Sequence, residues 1–153
     1  MINYKLEKFT MEDYEFVYEL KMNAYIVYVE ENWGKWNDEV QRDLFKKFIA
    51  INKDNISIIY LDDTKIGFYQ DFELEDGSYE IGNICIAPEH QGKGIGTKIL
   101  EDALTNNSDK DIHLQFFKQN KVGKLYERLG FVLSGETEYH YQMTKYAKNK
   151  GLK

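Results

Sequence analysis

The sequence predicts a mixed α/β fold: a central mixed, mostly antiparallel sheet flanked by helices. Three observations carry this. Apolar residues repeat at helical spacing through the first third of the chain, then switch to β-branched runs at Ile56. A hairpin signal, Asp76-Gly77, joins two later runs into an antiparallel meander. A strand–helix–strand stretch then follows, and such a crossover puts its two strands parallel.

Residues 3–9 read as a short strand, with Tyr4 and Leu6 spaced by two. Thr10 has the character of a helix N-cap, with Asp13 completing a capping box and Phe9 and Tyr14 a hydrophobic staple. Phe16, Val17, Leu20, Ala24, Val27 and Tyr28 form one apolar helical face. Trp33-Gly34-Lys35-Trp36 interrupts it. Asn37 caps a second helix whose inward face reads Val40, Leu44, Phe45, Phe48 and Ile49. Ile56–Leu61 is a strand, Asp62-Asp63-Thr64 a turn, residues 65–74 a second strand and residues 78–86 a third, ended by Pro88. A helix opens near Gly94 with Ile95, Ile99, Leu100, Ala103 and Leu104 on one face. Residues 111–117 alternate as a strand. Val122, Leu125, Tyr126 and Leu129 mark a short helix that Gly130 terminates. Residues 131–133 and 139–144 close the fold as paired strands. The predicted order is β-α-α-β-β-β-α-β-α-β-β.

The bulk properties narrow the function. A chain of 153 residues, 42% hydrophobic and 15% aromatic, fits one domain over residues 1–147 with a polar tail at 148–153. Repeats, low-complexity tracts and linkers are absent. Twenty basic against 26 acidic residues leave a net charge of -6, which opposes binding to nucleic-acid phosphates. Cys85 is the only cysteine, so an internal disulfide is excluded and a reducing cytoplasm is expected. The opening residues lack an apolar signal core, and no apolar run is long enough to span a bilayer.

The most informative segment runs from the strand residues Ile84, Cys85 and Ile86 through Gln91, Gly92, Lys93, Gly94, Ile95, Gly96 and Thr97. Three alternate glycines open a helix. Free N–H groups and the helix dipole suit a diphosphate there, and glycine lets the backbone approach it closely. The spacing differs from a Walker A loop, because Lys93 is followed by Gly94. It also differs from the dinucleotide fingerprint, because Thr97 occupies the third glycine's place. A glycine-rich helix start without a ligand is the alternative for so short a motif.

The segment from Gln91 to Gly96 resembles the Gln/Arg-x-x-Gly-x-Gly/Ala signature of the GCN5-related N-acetyltransferase (GNAT) superfamily. Upstream, residues 84–89 look like that family's fourth strand. Downstream, Asn120, Leu125, Tyr126, Gly130 and Phe131 are similar to its Asn-x-x-Ala-x-x-Leu-Tyr-x-x-x-Gly-Phe block, with Gly123 departing from the usual Ala. The resemblance covers most of the chain and is strongest from Glu80 to Phe131.

That resemblance implies an N-acetyltransferase moving an acetyl group from acetyl-CoA to a primary amine by direct transfer. A non-catalytic acyl-CoA-binding module of the same fold is the alternative. It assigns the amides of residues 91–97 to the diphosphate, the edge of Ile84, Cys85 and Ile86 to the pantetheine arm, and Asn120 to a cofactor contact. A backbone N–H of that edge would also polarise the thioester oxygen. Tyr126 is implied as the proton donor to the leaving thiolate, with packing between helix and sheet as its other reading. Glu80 is the expected general base through water, or else an ordinary strand carboxylate. Cys85, alone on an apolar strand, reads as a core residue rather than a nucleophile. His90, His113 and His140 lack metal-ligand spacing, and no metal is expected; His140, between two tyrosines, stands out.

In this family the first two helices and their connection wall the acceptor pocket. Here that connection holds Tyr28, Glu30, Glu31, Trp33 and Trp36. Tyr28, Trp33 and Trp36 are the expected substrate-binding residues, offering ring faces to an amine; packing of the helix turn is their other reading. Polyamine, amino acid, peptide N-terminus, aminoglycoside and protein lysine all stay open as acceptors. A monomer or a homodimer is expected.

Overall fold

The computed structural model describes residues 2–148; Met1 and residues 149–153, nearly all of the predicted polar tail, lie outside the described residues. Among the described residues, seven strands and four α-helices follow one another in the order predicted. The strands hydrogen-bond as β1-β2-β3-β4-β5-β7-β6, and every pairing described below is antiparallel except that of β4 with β5. The chain forms two compact units.

The first unit contains residues up to Gln70 together with Asn83–Gly96. β1 (Tyr4–Lys8) pairs with β2 (Ile56–Leu61), and β2 with β3 (Thr64–Glu73). Its core gathers Phe9, Val17, Tyr18, Phe45, Ile49, Ile56, Ile58, Phe68 and Cys85. Thr10 caps a short 3-10 turn rather than α1 itself: its amide donates to the Asp13 carboxylate at 3.0 Å, and α1 (Tyr14–Trp33) follows that turn. Asp13, only 5% exposed, is clamped by Lys65 of β3.

Two helical faces differ from the sequence reading. On α1, Val17 and Leu20 are buried as expected, but Ala24 and Val27 are exposed, and Tyr18, Lys21 and Tyr25 turn inward instead. The inward stripe is rotated by about one residue, and it includes a lysine that an apolar pattern skips. On α2 (Asp38–Asn52), Phe45 and Ile49 are buried, but Val40 and Leu44 are half exposed. Both lie about 100° or more around the helix from Phe45, with the exposed Ile51. Asn37 caps α2 as expected, accepting from the Val40 amide at 3.1 Å.

Gly67 of β3 lies under the backbone of β4 (Tyr79–Ile86). A Cβ placed there would sit 2.3 Å from the Cys85 carbonyl oxygen, so only glycine fits this approach.

The second unit contains Asp71–Gly82 and residues from Thr97 onward. After the Asp76-Gly77 turn, β4 pairs in parallel with β5 (Ile112–Phe117) through two rungs, Tyr79 with Ile112 and Glu80 with His113. β5 then pairs with β7 (His140–Lys145), and β7 with β6 (Val132–Glu136). α3 (Ile95–Asn106) buries all five residues of its predicted face. α4 (Gly123–Arg128) precedes β6. Among the described residues, no helix is long and apolar enough to cross a membrane.

Candidate functional site

The glycine loop belongs to the first unit. Gly92 and Gly94 have φ of +75° and +82°, a conformation that side-chain-bearing residues rarely adopt. Nothing lies within 4 Å of a Cβ at Gly92. Gly96 plays a different part: its φ is ordinary, and a Cβ there would rest 3.9 Å from the side chains of Ile84 and Ile86. Gln91 anchors the loop to the strand before it, with its Nε2 donating to the Ile86 carbonyl at 2.8 Å. Residues 91–94 are exposed, with the Lys93 side chain among them, and α3 begins at Ile95. The first amides of a helix have no partner within it, and the dipole adds positive potential. The residues present therefore fit a diphosphate. The structure brings Ile84, Cys85, Ile86 and the loop together.

Cys85 is buried, and loss of solvation pushes its thiol up to about 12, against a smaller opposing pull from Lys21. Such a thiol stays protonated at neutral pH and is a poor nucleophile. Two residues earlier on β4, Asn83 joins a polar chain that sequence reading missed. Lys21 and the Tyr25 hydroxyl both donate to Asn83 Oδ1, at 3.4 and 2.8 Å. Asn83 Nδ2 donates to Gln70 Oε1 at 2.5 Å, and Gln70 Nε2 to Asn52 Oδ1 at 3.0 Å. The Lys21 ammonium also lies 4.6 Å and 4.9 Å from the ring centroids of Tyr25 and Phe48. Burial lowers its pKa. The available signal was an amide side chain inside each of two apolar stretches, Gln70 after Phe68-Tyr69 and Asn83 before Ile84-Cys85-Ile86.

The expected acceptor residues prove heterogeneous. Tyr28 and Trp33 are still within α1, so the connection between the helices is only residues 34–37. Trp33 is 53% exposed. Trp36 packs against the core, and its indole N–H donates to Asp38 Oδ1 at 3.3 Å beside the Tyr18 hydroxyl. Glu30 accepts the Trp36 amide at 2.9 Å, which makes that carboxylate part of the turn.

In the second unit, Glu80 is half-buried. Burial raises its carboxyl above the usual range, and His113 partly offsets this. Glu80 and His113 line a cleft of about 260 Å³ with Leu114, Gln115, Ser134, Gln142 and Met143. Asn120 Oδ1 accepts the Val122 amide at 3.1 Å just before α4. Tyr126 on α4 sets its ring 5.5 Å from Phe116 and 5.9 Å from Phe131, centroid to centroid. His140 stacks on Phe117 at 4.4 Å, which is a packing role. Among the described residues, no group of three or more His, Cys, Asp and Glu is placed to hold a metal ion.

Comparison with known proteins aligns with this geometry. Residues 52–133 match the acetyltransferase (GNAT) domain family. The chain is 36% identical over 74 residues to the uncharacterized N-acetyltransferase YobR of Bacillus subtilis, a stretch covering 46% of this chain and 29% of that protein's length. It is 27% identical over 145 residues to the spermidine N(1)-acetyltransferase of Escherichia coli K12, covering 90% of this chain and 77% of that enzyme. Among solved structures, the PaiA N-acetyltransferase of Thermoplasma acidophilum in complex with coenzyme A superposes with a TM-score of 0.68 at 19% identity. That match covers 95% of this chain and 99% of the other. PH1933 of Pyrococcus horikoshii gives 0.68 at 22% identity, covering 94% and 98%.

Proposed function

Because the chain belongs to the GNAT acetyltransferase family, we propose that it transfers the acetyl group of acetyl-CoA directly to a primary amine of a small molecule or peptide. The observation that carries this reading is the exposed loop with two left-handed glycines at the start of α3, tied to β4 by Gln91.

In this reading acetyl-CoA supplies an activated thioester, and the chain supplies position, polarity and proton handling. The amides of residues 91–97 bind the diphosphate, with Lys93 as a cationic neighbour. The backbone edge of Ile84, Cys85 and Ile86 orients the pantetheine arm, and one of its N–H groups polarises the carbonyl oxygen. Asn120 uses its side-chain oxygen on α4, which leaves its NH₂ to donate to the cofactor. The Tyr126 hydroxyl holds the proton that the departing sulfur needs. Glu80 receives the amine proton; its raised pKa brings the base closer to neutral pH, where proton transfer is most efficient. The buried, protonated Cys85 supports direct transfer over an acyl-cysteine.

The acceptor enters near Tyr28, Trp33 and Trp36. The likeness to a spermidine N(1)-acetyltransferase makes polyamines the first acceptors to assay. The single buried cysteine supports a reducing, cytoplasmic setting.

The test has two arms. Acetyl-CoA at about a hundred times its Kd should stabilise the protein by about 2.7 kcal/mol, and NAD and ATP should not. A panel of amines with acetyl-CoA should then release free thiol. Stabilisation by NAD or ATP instead removes the reading. Tight CoA binding with no thiol release from any amine makes the chain a non-catalytic acyl-CoA-binding module.

A further inference from the structure

Beside Glu80, a hydrogen-bonded line of exchangeable protons runs from His113 through Thr144 to Ser134. Glu80 and His113 are partners on one rung of the β4–β5 ladder, and both line the cleft. On the far side of the imidazole, Nδ1 lies 2.9 Å from Thr144 Oγ1. The Thr144 hydroxyl donates to Ser134 Oγ at 2.8 Å. Thr144 is 2% exposed, whereas Ser134 faces solvent.

The relay uses one histidine tautomer. A threonine hydroxyl has a single proton, and Thr144 gives it to Ser134. Where Thr144 gives its proton to Ser134, its bond with Nδ1 is an N–H donated by the ring. The neutral imidazole then keeps a lone pair at Nε2. The charged groups that face His113 are Glu80 on β4 and Asp76 in the β3–β4 turn. Asp76 is already engaged by the Ser78 amide at 2.9 Å and the Ser78 hydroxyl at 2.5 Å. From β6 and β7 the neighbours are Ser134, Thr144 and Gln142, all neutral.

We propose that His113 is a positioning and relay residue for Glu80, conducting the proton taken from the acceptor amine through Thr144 and Ser134 to water. The proposal rests on the base role of Glu80 given above. In the relay, the Glu80 carboxylate accepts the amine proton and becomes a carboxylic acid. That acid passes its proton through cleft water to Nε2, and the carboxylate is restored. The resulting imidazolium releases its Nδ1 proton to Thr144, Thr144 passes its own to Ser134, and Ser134 passes one to solvent. One proton leaves the amine and one reaches bulk water. Exchange with cleft water returns the ring to its starting tautomer. Burial of Glu80 supports the need for an exit, because a half-buried carboxyl that retains its proton cannot serve a second turnover.

The experiment combines ¹⁵N-histidine NMR titration with pH profiles of kcat/KM, in wild type, Glu80→Gln, His113→Gln, Thr144→Val and Thr144→Ser. The wild-type His113 should be the Nδ1–H tautomer. Glu80→Gln should move the His113 ring ¹⁵N signals, because an anionic neighbour on the same rung is lost. His113→Gln should move the acid limb of kcat/KM to higher pH and cut kcat about tenfold, with KM for acetyl-CoA unchanged. Thr144→Val should also cut kcat, and Thr144→Ser should restore it at equal thermal stability. Full activity in Thr144→Val, or His113 ring signals indifferent to Glu80→Gln, overturns the relay alone. Undiminished kcat in Glu80→Gln overturns the base role and the relay together. A wild-type protein that transfers acetyl to no amine overturns the proposed function, and the relay with it.

Discussion

Asn120 Oδ1 accepts the Val122 amide at 3.1 Å, at the entrance to the short helix that holds Tyr126. In the proposed reading one side chain has two separable duties: its oxygen holds the turn before the helix, and its NH₂ donates to the cofactor. Asn120→Asp keeps an acceptor for Val122 and loses the donor. It should leave thermal stability within about 0.5 kcal/mol of wild type while weakening CoA about tenfold by calorimetry. Asn120→Ala should lose both, with a further drop in stability of about 1 kcal/mol. Wild-type affinity in Asn120→Asp would leave Asn120 a helix-starting residue only.

The three alternating glycines should respond unequally. Gly92→Ala and Gly94→Ala force a side chain into a left-handed backbone, at about 1–2 kcal/mol each. A loop that relaxes to avoid this cost turns its amides away, so CoA affinity should fall about tenfold. Gly96→Ala adds a methyl group at ordinary contact distance from Ile84 and Ile86 in a helical position. It should be tolerated, with stability unchanged or slightly improved. Equal losses of CoA affinity in all three variants, measured by calorimetry, would contradict this division.

These two cases show how far the sequence reads. Glycines at a strand–helix junction are legible because few other residues serve there. The element order is legible because local periodicity changes where the backbone changes. The Lys21–Asn83–Gln70–Asn52 chain is illegible because its members come from two helices and two strands, brought together only by folding. Val40 and Leu44 mislead for the opposite reason, since apolar identity does not say how far around a helix the core extends. His113 is one of three scattered histidines until the ladder sets it opposite Glu80.

Gly67 predicts a stability effect without ligand contact. Its virtual Cβ lies 2.3 Å from a backbone oxygen, which cannot rotate away as a side chain could. Gly67→Ala should cost about 1–3 kcal/mol in urea denaturation, the usual range for overpacking. Because the displaced carbonyl belongs to Cys85, on the strand assigned to the pantetheine arm, acetyl-CoA affinity should fall as well. An unchanged urea midpoint would show that β4 yields at no cost.

Asp13 gives stability a pH signature. Burial alone would raise its carboxyl, but hydrogen bonds from Lys65 and the Thr10 amide overcome this and hold it below its usual value. A carboxyl lowered in the folded state stabilises fully above its unfolded pKa of about 3.9, and the contribution disappears as pH falls through the folded value. Asp13→Asn should therefore destabilise by about 1–2 kcal/mol at pH 7, below the cost for a fully buried pair because the Lys65 side chain is 36% exposed. Urea titrations of both proteins should run parallel from pH 7 to about pH 4.5 and converge below pH 4. A constant gap down to pH 3 would mean that the ion pair contributes nothing.

Tyr126→Phe separates chemistry from packing. The phenyl ring retains both aromatic neighbours, Phe116 and Phe131, so helix α4 and thermal stability should be preserved within about 0.5 kcal/mol. Only the hydroxyl is removed. If it supplies the leaving sulfur's proton, kcat should fall about a hundredfold with KM for acetyl-CoA nearly unchanged. A thioester with a more acidic thiol needs less help in leaving, so the variant should recover part of its rate on such an analogue. A rise in KM at constant kcat would instead make the hydroxyl a binding group, and the proton would have to come from water.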